Sequence, residues 1–269
     1  MKGLFKYKDL IFELAFRDLK LLYRRPFLGF LWMLVIPLAT AIIYKILFSD
    51  FMHISSGKYP FFIHLLTALL PWNYFSSSVT QSSKCILASK KIIGQMSFPK
   101  YLLPLSIVLV NLIIFLPTLI VLVGALIVFK VNLSAGIVFL PLVVLIQTCL
   151  IIGISFIVSS LQVIYRDTEY FIQIFITVLF FFTPGVYSLE DLTGRINPLL
   201  VKIYMLNPLV GILNLYRIVL IRGYWKDLPG EVNLLNTIVS PVLWAVFVLF
   251  LGYSVFKKYE KSFFDHIYL

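Results

Sequence analysis

Six long apolar runs dominate this sequence and limit the folds open to it. A helix needs about 20 residues to cross the roughly 30 Å hydrocarbon core of a bilayer, and the six runs approach or exceed that length. None shows the alternation with a period of two that is typical of a barrel strand. We predict an all-α integral membrane protein with six transmembrane helices: Leu28–Phe48, Phe61–Val79, Leu102–Phe129, Gly136–Val163, Phe171–Tyr187 and Thr237–Phe256.

Composition supports a single membrane domain over residues 1–269. Hydrophobic residues make up 61% of the chain and charged residues only 13%, which is too apolar for one soluble core. The predicted parts follow one another along the chain: a cytoplasmic interface helix (1–27), spans one to five (28–187), an outer re-entrant segment (188–236), span six (237–256) and a cytoplasmic tail (257–269).

The basic residues predict the orientation. With the N-terminus inside, 15 of the 23 Lys and Arg residues fall on the inner side, as the positive-inside rule requires. Both termini are therefore expected in the cytoplasm.

The long segment 188–236 decides the number of crossings. Pro208 interrupts its apolar part and leaves a piece of about 14 residues, which as a helix reaches only about 21 Å. Asn197-Pro198 and Asn207-Pro208 are typical helix starts. We expect two short re-entrant helices here rather than a seventh span.

The N-terminal segment 4–25 predicts an amphipathic helix in the membrane interface. Six of its charged residues fall within an arc of about 80° on a helical wheel, namely Lys6, Asp9, Glu13, Arg17, Lys20 and Arg24. Attraction to anionic lipid explains the basic residues. It does not explain Asp9, Glu13 and Asp18, which suit a protein partner. A lipid anchor and a docking helix both remain open.

Residues 76–84, SSSVTQSSK, are polar on every side of the second predicted span. Polar groups facing lipid are costly unless protein or water satisfies them. Either this stretch borders protein or a wet cavity, or its hydroxyls bond back to their own helix.

Ion-coupled transporters usually require an acidic residue within their spans. The six predicted spans contain no acidic residue away from their ends. The chain also has no phosphate-loop motif. If it transports actively, a separate ATPase must dock on it. The predicted docking elements are the N-terminal helix, the loop 84–100 and the turn 165–170 with Arg166, Asp167 and Glu169. Two alternatives stay open. The loop could be basic only because of the positive-inside rule, and the charged residues of the turn could pair with one another.

Several motifs together resemble one family. They are RDLKLLYRRPFLGFLW at 17–32, LLPWNYFSSSV at 69–79, SFPKYLLPLS at 97–106, YRDTEYFIQIFITVLFFFTPGVY at 165–187 and LNPLVGILNLYRIVL at 206–220. In this order and spacing the chain resembles the membrane subunit of ABC-2 type exporters, in the branch that exports polysaccharides such as O-antigen, teichoic acid and capsule.

The resemblance implies a transport subunit without catalytic residues or metal ligands, placed in the bacterial cytoplasmic (inner) membrane. Two copies would pair with two ATPase subunits, which would bind ATP and Mg. By position, Arg17, Asp18, Arg24 and Arg25 would belong to the interface helix, and Lys90, Lys91 and Gln95 to the coupling loop. The expected partners are this ATPase, a second copy, a lipid-linked glycan and membrane lipids, and no nucleic acid.

A glycan cargo would also explain certain uncharged residues. Sugars stack on aromatic rings and exchange hydrogen bonds with hydroxyls and amides, so weak contacts would let a polymer slide. The channel candidates are Trp32, Tyr44, Trp72, Asn73, Tyr74, Phe75 and Ser76. Tryptophan and tyrosine are also enriched at the membrane–water interface. Each tryptophan and tyrosine among the candidates could therefore lie in this aromatic belt instead of the channel.

Two alternatives remain. The same machine could export lipids or drugs. An integral membrane enzyme acting on lipid-linked substrates would need carboxylates or a metal near the headgroups, whereas Glu190, Asp191, Asp227 and Glu231 are scattered along the chain.

Overall fold

The computed structural model describes residues 7–22, 31–54, 58–95, 98–189, 197–229 and 234–263. Within these ranges the regular elements are helices, with one isolated backbone bridge between Leu133 and Ile221. The α-helices are α1 Lys8–Leu22, α2 Trp32–Tyr44, α3 Phe61–Ala88, α4 Lys90–Gln95, α5 Leu102–Val128, α6 Leu140–Ile164, α7 Thr168–Phe181, α8 Pro198–Tyr204, α9 Pro208–Leu220 and α10 Leu234–Tyr259.

Four helical segments of the described chain are long and apolar enough to cross a membrane: Trp32–Phe51, Leu102–Val128, Ala135–Ile164 and Leu235–Ser262. The first joins α2 to a π-helical turn, Lys45–Phe51. The all-helical, membrane-type fold is thus confirmed. The other two predicted spans coincide with α3, which has 28 residues but a polar inner half, and with α7, which is apolar but only 14 residues long.

Helix α3 lies at the centre of the bundle. It packs against α2, α5, α6, α7 and α9, and 19 of its 28 residues are buried. This position explains how a membrane protein tolerates the polar run 76–84, since most of that run faces protein rather than lipid. Ser78, Ser82 and Ser83 are buried within the bundle.

Helices α6 and α10 cross at two glycines. A Cβ on Gly252 would collide with the backbone of Gly153, and a Cβ on Gly153 would collide with the backbone at Val248. Small residues at such crossings let transmembrane helices approach closely, so that dispersion contacts hold them together.

The connecting segments separate into two groups at opposite ends of the bundle. At one end, Tyr59 donates a hydrogen bond to Asp227 (2.7 Å) and the Arg222 amide donates to the carbonyl of Asn132 (2.9 Å). At the other end, α1, α4 and the chain beyond α10 share one apolar cluster. The two termini of the described chain therefore lie at the same end.

The two short helices predicted in the segment 188–236 are present as α8 and α9. Helix α8 begins at Pro198 and α9 at Pro208, as the Asn-Pro pairs predict. The Asn207 side chain caps α9 by accepting a hydrogen bond from the Leu209 amide (3.0 Å). Helix α9 has 13 residues, which gives it a length of about 20 Å.

Candidate functional site

A cavity of about 410 Å³ lies between α2, α3 and α5. Its walls combine aromatic rings with uncharged polar groups: Trp32 and Thr40 from α2, Asn73, Tyr74, Ser77 and Gln81 from α3, and Asn111, Phe115 and Thr118 from α5. The α2 wall is open, since Trp32 and Ile36 are 40% and 58% exposed. Such a lining can hold a ligand that has both hydroxyl groups and apolar faces.

The polar side of the cavity is a stripe on α3. Asn73, Ser77 and Gln81 are spaced four residues apart and therefore share one helix face. Opposite them, the buried amide of Asn111 donates hydrogen bonds to Gln81 Oε1 and to the carbonyl of Ile107, both at 3.0 Å. This pairing holds the Gln81 side chain against the α5 wall.

The aromatic side of the cavity is also fixed by packing. The Tyr74 and Phe115 rings stack nearly parallel, with centroids 4.9 Å apart. The Tyr74 hydroxyl lies 3.0 Å from that of Thr148 on α6. Both rings are therefore held by neighbours on α5 and α6 rather than being free to rotate.

Of the seven predicted channel residues, Trp32, Asn73 and Tyr74 lie at the cavity wall. Trp72 and Phe75 are buried elsewhere, and Trp72 packs against Phe180 of α7 (5.3 Å between centroids). Tyr44 packs against Phe48 and Phe180. Ser76 donates a hydrogen bond to the Asn73 carbonyl (3.4 Å).

The predicted docking elements meet at the end of the bundle that holds both termini of the described chain. Leu14 of α1, Ile86 of α3 and Ile93 of α4 are buried in one apolar cluster with Phe256 and Phe263. The cluster leaves Lys90, Lys91 and Gln95 of α4 exposed. Arg24 and Arg25 lie outside the described residues.

Charged residues at this end also pair with one another. Arg17 and Asp18 form an ion pair (2.7 Å). Lys84 at the end of α3 pairs with Glu169 at the start of α7 (2.7 Å). Arg166 and Asp167, in the turn between α6 and α7, are exposed.

The family model of ABC-2 type transporters matches residues 9–221. The chain belongs to this family. The resemblance predicted from the sequence is therefore confirmed, and the match includes α1, α4 and every helix that lines the cavity.

Two relatives of this ABC-2 chain share nearly its whole length. The O-antigen export system permease protein RfbA of Myxococcus xanthus is 30% identical over 99% of this chain and 98% of its own length. The protein of the same name from Klebsiella pneumoniae is 31% identical over 95% of this chain and 93% of its own length. The likeness thus extends to α10, beyond the part that the family model matches.

The predicted channel residues of the ABC-2 chain did not include Ser77, Gln81, Asn111 and Phe115, which line the cavity. Ser77 and Gln81 belong to the polar run 76–84, which the sequence had indicated as bordering protein or a wet cavity. The spacing of Asn73, Ser77 and Gln81 was a usable signal, because positions i, i+4 and i+8 face the same way on a helix. Nothing in the sequence could show that Asn111 and Phe115 lie opposite them, since this depends on how α5 packs against α3.

At the end of the bundle that carries α8 and α9, two tyrosines of the ABC-2 chain connect α8 to the segment that follows α7. Tyr187 donates a hydrogen bond to the Phe181 carbonyl (3.1 Å), and its oxygen lies 2.9 Å from that of Tyr204. Burial, followed by the neighbouring Tyr187, raises the pKa of Tyr204 well above its ordinary value. Tyr204 therefore stays protonated and can donate to Tyr187.

Of the four acidic residues considered for a membrane enzyme, Asp227 lies in the described chain. Asp227 accepts hydrogen bonds from Tyr59 and Lys58. Glu190, Asp191 and Glu231 lie outside the described residues. Within the described ranges no three His, Cys, Asp or Glu side chains come together as they would to hold a metal ion.

Proposed function

We propose that this chain is the membrane subunit of an ATP-driven exporter that moves a lipid-linked polysaccharide from the cytoplasmic side across the bacterial cytoplasmic membrane. The observation that carries the proposal is the cavity between α2, α3 and α5, in a chain whose relatives over nearly its full length are named O-antigen export permeases. Aromatic faces and uncharged amides suit a polymer of sugars.

The proposed topology has six crossings, made by the four long apolar segments together with α3 and α7. The segregation of the connecting segments into two ends supports this alternation. Helices α8 and α9 then enter the outer leaflet and return, because the chain lies at the same end of the bundle before and after them. Before them, the Tyr187 carbonyl lies 3.2 Å from His64 Nε2 near the start of α3, and after them Ile221 forms the bridge with Leu133. Both termini are cytoplasmic in this arrangement.

The energy is supplied by a separate ATPase subunit, which binds the ATP and Mg. Its docking surface consists of the exposed sides of α1 and α4 and the turn 165–168, which lie around the same apolar cluster. A second copy of the chain completes the pathway. The exposed apolar residues of α2 that flank the cavity, such as Ile36 and Ile43, are available to that copy or to lipid.

The experiment that tests this function reverses the charge of α4. We expect the double variant Lys90→Glu, Lys91→Glu to lose most of the ATPase subunit that co-purifies in mild detergent, and to lose surface polysaccharide in parallel. The matched control is Lys226→Glu, which makes the same kind of change on an exposed residue at the opposite end. It should retain both.

Three results would count against the proposal. If the unaltered chain co-purifies with no ATPase, the energy source is wrong. If the α4 variant keeps its ATPase, the docking surface is wrong. If a deletion strain keeps its surface polysaccharide but loses the export of a lipid or drug, the cargo is wrong.

A further inference from the structure

Helix α10 and the single turn that follows it expose one continuous stripe, which changes from apolar to basic along its length. Its members are spaced three or four residues apart and therefore share one side of the helix. They are Leu243, Phe247, Phe250, Ser254, Lys257 and Lys261, and we call them the α10 stripe. Its three apolar members are 64%, 57% and 69% exposed, so they contribute little to packing within the chain.

The basic end of the stripe belongs to a group of three exposed lysines. They are Lys257, Lys258 and Lys261. Together with Tyr253 and Ser254 they line an open groove of about 560 Å³. The ammonium group of Lys258 lies 5.7 Å from the centroid of the Tyr259 ring. None of the three lysines forms an ion pair with a carboxylate of the described chain.

Other basic residues at this end of the bundle have acceptors within the chain. Lys84 pairs with Glu169 (2.7 Å), and Lys100 Nζ donates to the carbonyl of Glu260 (3.3 Å). The Glu260 carboxylate accepts a hydrogen bond from the Lys100 amide (3.1 Å), although this acid is next to Lys261 in the sequence. The three lysines therefore present positive charge that the described chain does not pair.

Two tyrosines indicate the depth of these lysines in the membrane. Tyr253 of α10 meets Tyr101, just before α5, with ring centroids 6.5 Å apart, and tyrosine is enriched at the membrane–water interface. Lys257 lies one turn beyond Tyr253, which is the level of the headgroups. Measured along the helix from Lys257, Phe250 and Phe247 lie about 10 and 15 Å deeper, within one half of a hydrocarbon core of roughly 30 Å.

A phospholipid with an anionic headgroup fits both ends of the stripe. Lysines close to a membrane surface attract anionic lipids, and the exposed apolar members can contact the acyl chains. A lipid without net charge would leave the lysines unpaired. A soluble anion would leave the apolar members uncovered.

The stripe lies apart from the cavity. Helix α10 packs mainly against α6 and α9, and the described residues that line the cavity come from α2, α3 and α5. Helix α6 contacts both α10 and α3, so it lies between the stripe and the cavity. The lipid carrier of a cargo would have to reach the cavity, which makes a lipid of the surrounding bilayer the better occupant of the stripe.

We propose that the α10 stripe and Lys258 form a binding site for an anionic phospholipid of the bilayer. The three lysines hold the headgroup phosphate, and the acyl chains lie along Phe250 and Phe247. The inference rests on the proposed function only for the side of the membrane, which makes this a lipid of the cytoplasmic leaflet. Binding itself can be measured without the ATPase and without cargo.

The test is native mass spectrometry of the full-length chain in mild detergent, with added phosphatidylglycerol. Phosphatidylcholine with the same acyl chains is the neutral comparison. We expect the triple variant Lys257→Gln, Lys258→Gln, Lys261→Gln to bind phosphatidylglycerol roughly a hundredfold more weakly, since each lysine near the membrane surface contributes about a factor of five. Its binding of phosphatidylcholine should not change.

The matched control removes three charges from exposed positions at the opposite end of the bundle, with Lys130→Gln, Arg222→Gln and Lys226→Gln. Both triple variants lower the net charge of +11 by the same three units. The control should bind phosphatidylglycerol like the unaltered chain. The inference is wrong if the α10 variant also binds normally, or if both variants weaken binding equally, because the lipid would then respond only to net charge.

Single variants replace the triple variant if it does not accumulate. Lys257→Gln and Lys261→Gln should each weaken the binding of phosphatidylglycerol roughly fivefold. Unaltered binding in both would overturn the inference.

Competition experiments identify the occupant. Soluble glycerol phosphate should not displace phosphatidylglycerol, because it lacks the acyl chains; displacement would show a site for free phosphate and overturn the inference. A polyprenyl phosphate that displaced the lipid at a lower concentration than phosphatidylglycerol itself would show a site for the cargo carrier, which would also overturn it.

The outcome is separable from that of the proposed function. If the stripe binds phosphatidylglycerol but the chain co-purifies with no ATPase, the proposed function fails and the lipid site stands. If the ATPase co-purifies and the two triple variants bind lipid alike, only the lipid site fails.

Discussion

Single glycines decide how closely two of the longest helices approach. Gly153 and Gly252 bring the backbones of α6 and α10 into direct contact, and a side chain at either position would have to displace the other backbone. Gly124 of α5, in contrast, has open space where a Cβ would stand. Glycines in apolar helices of the same bundle therefore differ in whether they tolerate a side chain.

We predict that Gly252→Ala destabilises the protein, by about 1–3 kcal/mol as is common for overpacking, although alanine has the higher helix propensity. The measurement is thermal unfolding of the purified chain in detergent. Gly124→Ala is the matched control and should unfold at the same temperature or a higher one. Equal effects of the two substitutions would contradict the close crossing of α6 and α10.

A single amide organises the polar wall of the cavity. Asn111→Leu keeps the shape of the side chain but removes the hydrogen bond to Gln81. We predict surface polysaccharide reduced by roughly three- to tenfold, as expected when one hydrogen bond of about 1 kcal/mol is lost. Co-purification of the ATPase should be unaffected.

The control for this variant is Ile120→Ala on the exposed face of the same helix. It should export normally. Normal export by Asn111→Leu would place the cargo outside this cavity.

Among the elements, the short segment after α10 is important because it shares one apolar cluster with α1 and α4, the two helices proposed to dock the ATPase. The Glu260 carboxylate accepts a hydrogen bond from the Lys100 amide (3.1 Å), just before α5 begins. Phe263 is fully buried in the apolar cluster with Leu14 of α1 and Ile93 of α4. The end of the described chain thus fixes α1 and α4 on the bundle.

We predict that Phe263→Ala loosens this cluster at a cost of about 3–5 kcal/mol, the usual range for removing a buried phenylalanine. The fraction of ATPase subunit that co-purifies should fall, because α1 and α4 lose a common support. Phe250→Ala is the control, since Phe250 lies on α10 but is 69% exposed. Full recovery of the ATPase with Phe263→Ala would mean that α1 and α4 are positioned without this segment.

The bundle as a unit has two chemically different ends. One carries α1, α4 and the chain beyond α10, and the other carries α8, α9 and the bridge between Leu133 and Ile221. With an even number of crossings the termini share a side, and the excess of basic residues there favours the cytoplasm.

We predict that a cysteine at Lys91 is labelled by an impermeant maleimide only after the membrane is opened, whereas one at Lys226 is labelled in intact spheroplasts. Both positions are exposed, so a difference reports the side of the membrane. Cys85→Ala and Cys149→Ala provide the background. The opposite pattern would invert the topology and place α4 out of reach of a cytoplasmic ATPase.

Much of this organisation could be predicted from the local sequence. Apolar runs predicted the long helices, since every backbone group in a bilayer must be paired within its own segment. The Asn-Pro pairs predicted where α8 and α9 begin, because proline and the capping asparagine act within one turn. The motifs predicted the family. The absence of acids within the predicted spans, together with the absence of a phosphate-loop motif, predicted a separate ATPase subunit if the chain transports actively.

The contacts between helices were decided only by the tertiary structure. Asn73, Trp72 and Phe75 are equally reasonable channel candidates in the sequence, yet Asn73 lies at the cavity and the two rings are buried beside Phe180 or within the bundle. Arg217 lies in the segment 188–236, which the sequence predicts on the outer side, and the structure buries it fully against α3. The physical reason is that a helix fixes the spacing of its own side chains, whereas the direction each face points depends on how the neighbouring helices pack.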